Sequence, residues 1–208
     1  MNLLAIIRVL SKQASPGPAP AFTYVHVCRA LLLIGDEGPI GRIELSRRLT
    51  LGEGAIRTII RHLTEARVVS VVPEGCILTR RGNGLYSRLR GRLSKIVFVD
   101  GRQLSLDKFS ATLSIKGAAD AVRSGIEQRD AAIRAGATGA CTLVIRGDEY
   151  VMPISGEGES RLESNDALVH DLERLLRPRS RDVVVVASAS EKSLAEHAAF
   201  AAALTLLE

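Results

Sequence analysis

Apolar residues recur at helical spacing through the N-terminal half of the chain, then give way to alternating strand-like and helix-like runs. Asn2 to Gln13 reads as a short amphipathic helix with Leu3, Ile6, Ile7 and Leu10 on one face, and the Pro-rich run Ser15 to Pro20 forbids its continuation. A helix so short is marginal alone, so its apolar face is expected to dock on its own chain or on a second copy. Phe22 to Ile34 is the next helix, closed by Gly35 and Gly38. Arg42 to Leu49 follows, with Ile43, Leu45 and Leu49 inward and Arg47 and Arg48 outward. After the turn Thr50-Leu51-Gly52, in which Thr50 is expected to cap, a third helix spans Glu53 to Ala66. Its Ile56, Ile59, Ile60 and Leu63 stand at i, i+3, i+4 and i+7, which makes one face core. Arg57, Thr58, Arg61 and His62 fall between them and are expected to point away from it. The β-rich runs Val68 to Val72 and Cys76 to Thr79 flank Pro73-Glu74-Gly75 as a hairpin, and Thr79 caps an Arg-dense helix from Arg80 to Leu93.

The C-terminal half begins with a short β-like run, Ile96 to Val99. Strands are expected at Ala111 to Lys116, Cys141 to Arg146, Glu149 to Met152 and Val183 to Ala187. Helices are expected at Ala118 to Ala135, Leu162 to Leu176 and Glu191 to Leu207, with a loop through Gly156 and Gly158. Val183 to Val186 is apolar on both faces, as suits a central strand covered by helices. These elements predict a small α/β domain with a mixed sheet, close in element order to a ferredoxin-like split β-α-β sandwich.

At 208 residues the chain accommodates two modest domains. An N-terminal helix and linker are expected at 1–20, a first domain at 21–94 and a second at 95–208. Charge sharpens the division: Met1 to Ser94 carries 14 basic against 6 acidic side chains, the remainder 14 against 17, within a net charge of +5. A basic first half fits a surface that meets phosphates. The three cysteines, Cys28, Cys76 and Cys141, are far apart and leave one over in any pairing, so buried thiols in a reducing, cytoplasmic setting are expected. The four histidines show no metal-ligand spacing, and neither a metal nor another cofactor is expected. The N-terminal apolar run, broken by Arg8 and Lys12, is too short to span a bilayer and lacks the basic leader of a signal peptide, so no membrane partner is expected.

Helix, turn, helix and hairpin in this order make a winged helix-turn-helix, and Leu45 to Leu89 resembles the winged-helix transcriptional regulators of bacteria and archaea. The matching positions are Leu49, Leu51, Gly54, Ile56 and Arg57 at a helix start, Leu63, Ala66, Val68 and Val69 at its end, and Leu78, Thr79 and Gly82 after the hairpin. The resemblance implies binding to double-stranded DNA through Arg47, Arg48, Glu53, Arg57, Thr58, Arg61, His62, Arg80 and Arg81. The hairpin tip departs from the pattern, being acidic at Glu74 where a phosphate-contacting wing carries Lys or Arg. Arg123 to Ile145 and the closing helix are similar to the C-terminal half of uncharacterised archaeal two-domain proteins of this kind, which implies a regulator without assigning a ligand.

One position in the second half stands out. On a helical wheel anchored at Val122, Arg129 lies within the apolar stripe, where a guanidinium must be paired or must reach water. Either a carboxylate of the same domain holds it, or Arg129 lines an effector pocket with Arg123, Gln128 and Asp130 and grips an anionic group. The turn from Gly136 to Gly139 and the segment Ser188 to Ser190 at the start of the last helix could close around such a ligand, although tight connections alone also account for them. No nucleophile-base set, paired-carboxylate motif or metal cluster is legible, so an enzyme is not expected. The expected function is a sequence-specific transcriptional regulator, acting as a homodimer, whose second domain senses a small anion or mediates dimerisation. A winged-helix adaptor that binds protein without reading DNA is the other reading.

Overall fold

A computed structural model describes residues 3–11, 21–101, 107–154 and 158–207. The Pro-rich segment expected after the first helix and the turn at Gly156 lie outside them. The chain forms two compact units, Met1–Arg90 and Gly91–Glu208.

The first unit runs α1 (Leu3–Ser11), α2 (Tyr24–Glu37), α3 (Arg42–Leu49), α4 (Glu53–Glu65), β1 (Val69–Val72), β2 (Gly75–Leu78) and α5 (Arg80–Arg92), the last crossing the boundary by two residues. The short α1 docks on α2 and α4 of its own chain, burying Leu3, Leu4 and Ile7. Helix α4 buries Ile56, Ile59, Ile60 and Leu63, the stripe its spacing predicts. Strands β1 and β2 pair antiparallel from Val69↔Leu78 to Val72↔Gly75, and Ile40 adds a bridge to Cys76. Thr79 caps α5 through its hydroxyl, which accepts the Gly82 N–H at 3.1 Å. Helix α5 is held to α2 by Asp36, which accepts the Tyr86 hydroxyl at 2.8 Å and pairs with the Arg90 guanidinium.

Three expectations for this unit need correction. Ile43 is 77% exposed rather than inward. Successive side chains of a helix turn by 100°, so Ile43 and Leu45 stand about 200° apart and cannot share a face, whereas Leu45 and Leu49 can. Thr50 does not cap α4: it closes α3 in a left-handed conformation with φ 55°, and Gly52 occupies the N-cap of α4. His62 does not face away from the core. Its Nδ1 lies 3.2 Å from the Leu10 carbonyl, and its ring meets Phe22 edge-on, because α1 covers that side of α4.

Helix α2 begins with a capping box in which His26 stands where Glu or Gln is usual: its Nδ1 accepts the Thr23 N–H at 3.0 Å. Burial, then the nearby Arg29 charge, pushes the His26 pKa down to about 4. The neutral ring is thus favoured in the folded state, so its contribution to stability is present above the ordinary value near 6.5 and is lost as pH falls towards 4. Thermal unfolding followed from pH 7 to pH 4 should show a falling midpoint in the native chain. His26→Gln, which keeps the acceptor without titrating, should flatten that slope; an unchanged slope would assign it to other groups.

The second unit holds β3 (Val97–Val99), β4 (Phe109–Ile115), α6 (Ile126–Arg134), β5 (Gly139–Arg146), β6 (Glu149–Ile154), β7 (Gly158–Leu162), α7 (Ala167–Leu175), β8 (Val183–Ala189) and α8 (Lys192–Leu204), with short 3-10 turns at Ala119–Ala121 and Thr205–Leu207. Its sheet has the order β3-β4-β8-β5-β6-β7 and is antiparallel at every pairing, not mixed. The expected β-α-β is present as β4-α6-β5, but the strand that splits it is the last one, β8, so the order departs from the ferredoxin-like arrangement. All of β8 is buried, and each fully buried valine contributes about 1.5–3 kcal/mol of apolar transfer. Helices α6 and α8 pack over β4, β5 and β8, while Leu168, Val169 and Leu172 of α7 join Leu143, Ile145, Val184 and Val186 in a second core layer.

The helix expected from Ala118 to Ala135 is broken by Gly125, whose left-handed φ of 73° starts α6 afresh at Ile126. The helix expected from Leu162 to Leu176 is present as α7 but begins only at Ala167, and the strand β7, Gly158–Leu162, stands where a loop through Gly158 was expected.

Candidate functional site

In the first unit the basic residues separate into engaged and free groups. Glu44 holds Arg47 through two hydrogen bonds at 2.9 and 2.5 Å. Glu37 holds Arg48 at 2.9 and 2.8 Å. The Arg47 guanidinium in turn keeps the Glu44 carboxyl below the usual carboxylate range, chiefly by hydrogen bonding. Thr58 bonds back to the Gly54 carbonyl at 3.1 Å, and His62 is engaged with α1. Arg57, Arg80 and Arg81 are exposed and, among the described residues, form no ion pair. Arg61 reaches only a long 4.0 Å contact with Glu65, both side chains being more than 60% exposed. Glu53 is exposed in the first turn of α4. Of the residues expected to contact DNA, the donors left available therefore lie on α4, at Arg57 and Arg61, and at the start of α5, at Arg80 and Arg81.

The second unit contains a cavity of about 220 Å³ lined by Ser124, Gly125, Ile126, Arg129, Ala140, Cys141, Thr142, Met152, Pro153 and Ile154. Its origin is a failed strand pairing. Strands β5 and β6 pair from Arg146↔Glu149 to Val144↔Val151, and the same register would oppose Leu143 to Met152 and then Thr142 to Pro153. The Ile145 N–H points to β8, where it donates to the Asp182 carbonyl. Strand alternation therefore turns the backbone groups of Val144, Thr142 and Ala140 towards β6. Opposite Thr142, Pro153 has no N–H to give. The ladder ends, β6 continues paired only with β7, and the gap becomes the cavity.

The wall opposite is the first turn of α6, entered through Gly125 without any side-chain cap, so its free N–H groups favour negative charge there. Arg129 stands one turn on, exposed rather than within an apolar stripe, since the wheel anchored at Val122 ignored the break at Gly125. Among the described residues it has no carboxylate partner. The floor is sulfur-rich: the Cys141 Sγ lies 3.3 Å from the Met152 Sδ, and burial pushes the Cys141 thiol up to about 12. A protonated thiol and a thioether make an apolar base, and the guanidinium, the hydroxyls of Ser124 and Thr142 and the open edge of β5 supply the polar groups. The combination suits a small molecule with an anionic end and an apolar body.

The other residues expected at this site lie elsewhere. Gln128 is buried and donates to the Thr205 hydroxyl at 2.8 Å, which fastens α6 to the end of α8. Arg123 and Asp130 are exposed and do not line the cavity. Gly136, with φ 97°, and Gly139 form the turn into β5, and Ser188 shares a 2.7 Å hydrogen bond with Ser110 across the sheet. Thr138 ties that turn to Ser188 by donating to its carbonyl, at 2.8 Å from the amide and 3.0 Å from the hydroxyl. Both turns are thus tight connections, and Ser190 is an exposed link into α8. Sequence reasoning missed Thr142, Cys141 and Met152; the proline inside a strand at Pro153 was the signal available for them.

All three cysteines are buried and free. Among the described residues no group of three or more potential ligands could hold a metal ion, and no helix is long and apolar enough to cross a membrane. No curated protein matches the chain. Among solved structures, a "Hypothetical protein PH0730 from Pyrococcus horikoshii OT3" is similar at 26% identity and a TM-score of 0.70, over 88% of this chain and 91% of that one. Residues 106–206, which hold the cavity and all but one strand of the six-stranded sheet, match the family described as "Domain of unknown function (DUF4443)".

Proposed function

We propose that this protein is a one-component transcriptional regulator of the archaeal two-domain kind: a winged helix-turn-helix that binds double-stranded DNA, joined to a domain that binds a small anionic effector, the whole acting as a homodimer. The carrying observation is the exposed pair Arg57 and Arg61 on α4, the helix that follows the tight turn after α3. A recognition helix needs one face held by the core and long donors on the other, and α4 has both. The hairpin β1–β2 and the Ile40 bridge occupy the place of a wing and its third strand. Its acidic tip shifts phosphate contacts onto Arg80 and Arg81. In this reading the protein binds and does not catalyse.

Gel shifts on genomic fragments test it directly: retardation should weaken steeply as salt rises, because phosphate contacts release counterions. No retardation at any salt would sink the DNA reading. The second reading, an adaptor that binds protein, draws on Ile43 and Val71, apolar side chains 77% and 60% exposed in the same unit. A stable heterocomplex that forms without nucleic acid would favour it.

The effector arm has its own test. Millimolar phosphate and small dicarboxylates should raise the unfolding midpoint of the native chain. Arg129→Ala should weaken that binding by roughly 10- to 100-fold, the usual worth of a hydrogen bond to a charged group. Equal shifts in both proteins would remove Arg129 from the site.

A further inference from the structure

We infer that the outer edge of β7 is a self-complementary surface through which two copies of this chain join their sheets. The inference rests on the homodimer in the reading above and on neither its DNA nor its effector component.

Strand β7, Gly158–Leu162, ends the sheet order and, among the described residues, pairs on one side only, with β6. Carrying the alternation across from Val144↔Val151 gives Tyr150, Met152 and Ile154 backbone groups that face β7, and hence Leu162, Ser160 and Gly158 groups that face β6. The N–H and C=O groups of Glu159 and Arg161 are left facing outward, with no partner strand among the described residues. An edge of this kind is a template for another strand.

The sequence of the edge decides which strand. In an antiparallel pair centred on Ser160, residue 159 of one copy opposes residue 161 of the other. Each Glu159 then exchanges two backbone hydrogen bonds with an Arg161 of the second copy, four in all, and opposite charges stand across from each other on one face. That face already carries alternating charge: Arg146 pairs with Glu159 at 2.6 Å and Arg161 with Glu149 at 2.9 Å. Joining two edges extends these pairs into a continuous row of alternating sign, Arg146, Glu159, then Arg161 and Glu149 of the second copy. A shift of one residue would break the Glu159–Arg161 opposition, so charge also fixes the register.

Sedimentation equilibrium of the full chain at about 0.15 M salt tests this. The native chain should dimerise in the micromolar range. Glu159→Arg and Arg161→Glu, each of which sets like charges opposite one another, should weaken the dimer by on the order of 100-fold. The double variant carrying both exchanges restores complementarity and should dimerise like the native chain. The intramolecular pairs lost in the single variants are surface pairs of small worth, and circular dichroism should show their fold intact. A native chain that stays monomeric overturns this surface together with the homodimer. A dimer indifferent to the single exchanges, or a double variant that stays monomeric, overturns this surface alone.

Discussion

Gly82→Ala is expected to destabilise the first unit by about 3 kcal/mol, the upper range for overpacking, and to lower its unfolding midpoint by roughly 12–24 °C. A Cβ at Gly82 would run into the Val68 carbonyl oxygen, and that oxygen belongs to backbone entering the hairpin, not to a side chain that can swing aside. The Val68 carbonyl also accepts the Thr79 N–H at 3.1 Å, so displacing it disturbs the cap of α5 as well. Gly84 in the same helix is the internal control. Its Cβ would meet nothing within 4 Å, so Gly84→Ala should stabilise by about 1 kcal/mol through helix propensity. Calorimetry on the two variants separates close approach from propensity; equal midpoints would refute the contact.

Arg57→Ala and Arg61→Ala should each weaken duplex binding by roughly 10- to 100-fold, the range of a lost base or phosphate contact, without moving the unfolding midpoint by more than a degree or two. Both side chains are exposed and outside the core stripe of α4. If Arg57 reads a base, its loss should also flatten preference between related sequences; if it meets phosphate, the loss should be uniform and the salt dependence shallower. Arg47→Ala is the contrasting variant. Its guanidinium is committed to Glu44, so a much smaller loss is expected. Losses of equal size at Arg47 and Arg57 would show that the sequence-level grouping of these arginines was the better guide.

The helices and hairpin of the first unit were legible because each is a local pattern. The i, i+3, i+4, i+7 stripe of α4 phases itself over three turns, and Thr79 is followed at the right distance by the amide it caps. Helix α3 has only eight residues, too few for the pattern to choose between Ile43 and Leu45. The place of His62 depends on α1, far away in the chain, and no local pattern records that docking.

The second unit was less legible for the same reason. Its defining event is the insertion of β8 between β4 and β5, a pairing of segments widely separated in sequence. Strand β7 was missed because Gly-Glu-Ser-Arg-Leu holds no β-branched or aromatic residue, and its conformation is imposed by β6. The cavity beside Arg129 was anticipated on faulty grounds, since the buried guanidinium that prompted it is exposed. Gly125 was in plain view, and its break of the wheel was the correction available from the sequence.

Pro153 gives the cavity an unusual kind of origin. Most binding pockets are carved by the shapes of the side chains around them, so drift in those shapes reshapes the pocket. At this one a proline withholds one of the two ladder bonds its pair would make, and the ladder between two neighbouring strands stops short of it. The walls are therefore free to vary in size and polarity, and with them the molecule that fits, while the opening itself depends on one position. Such a cavity can change its lining without losing its place in the fold.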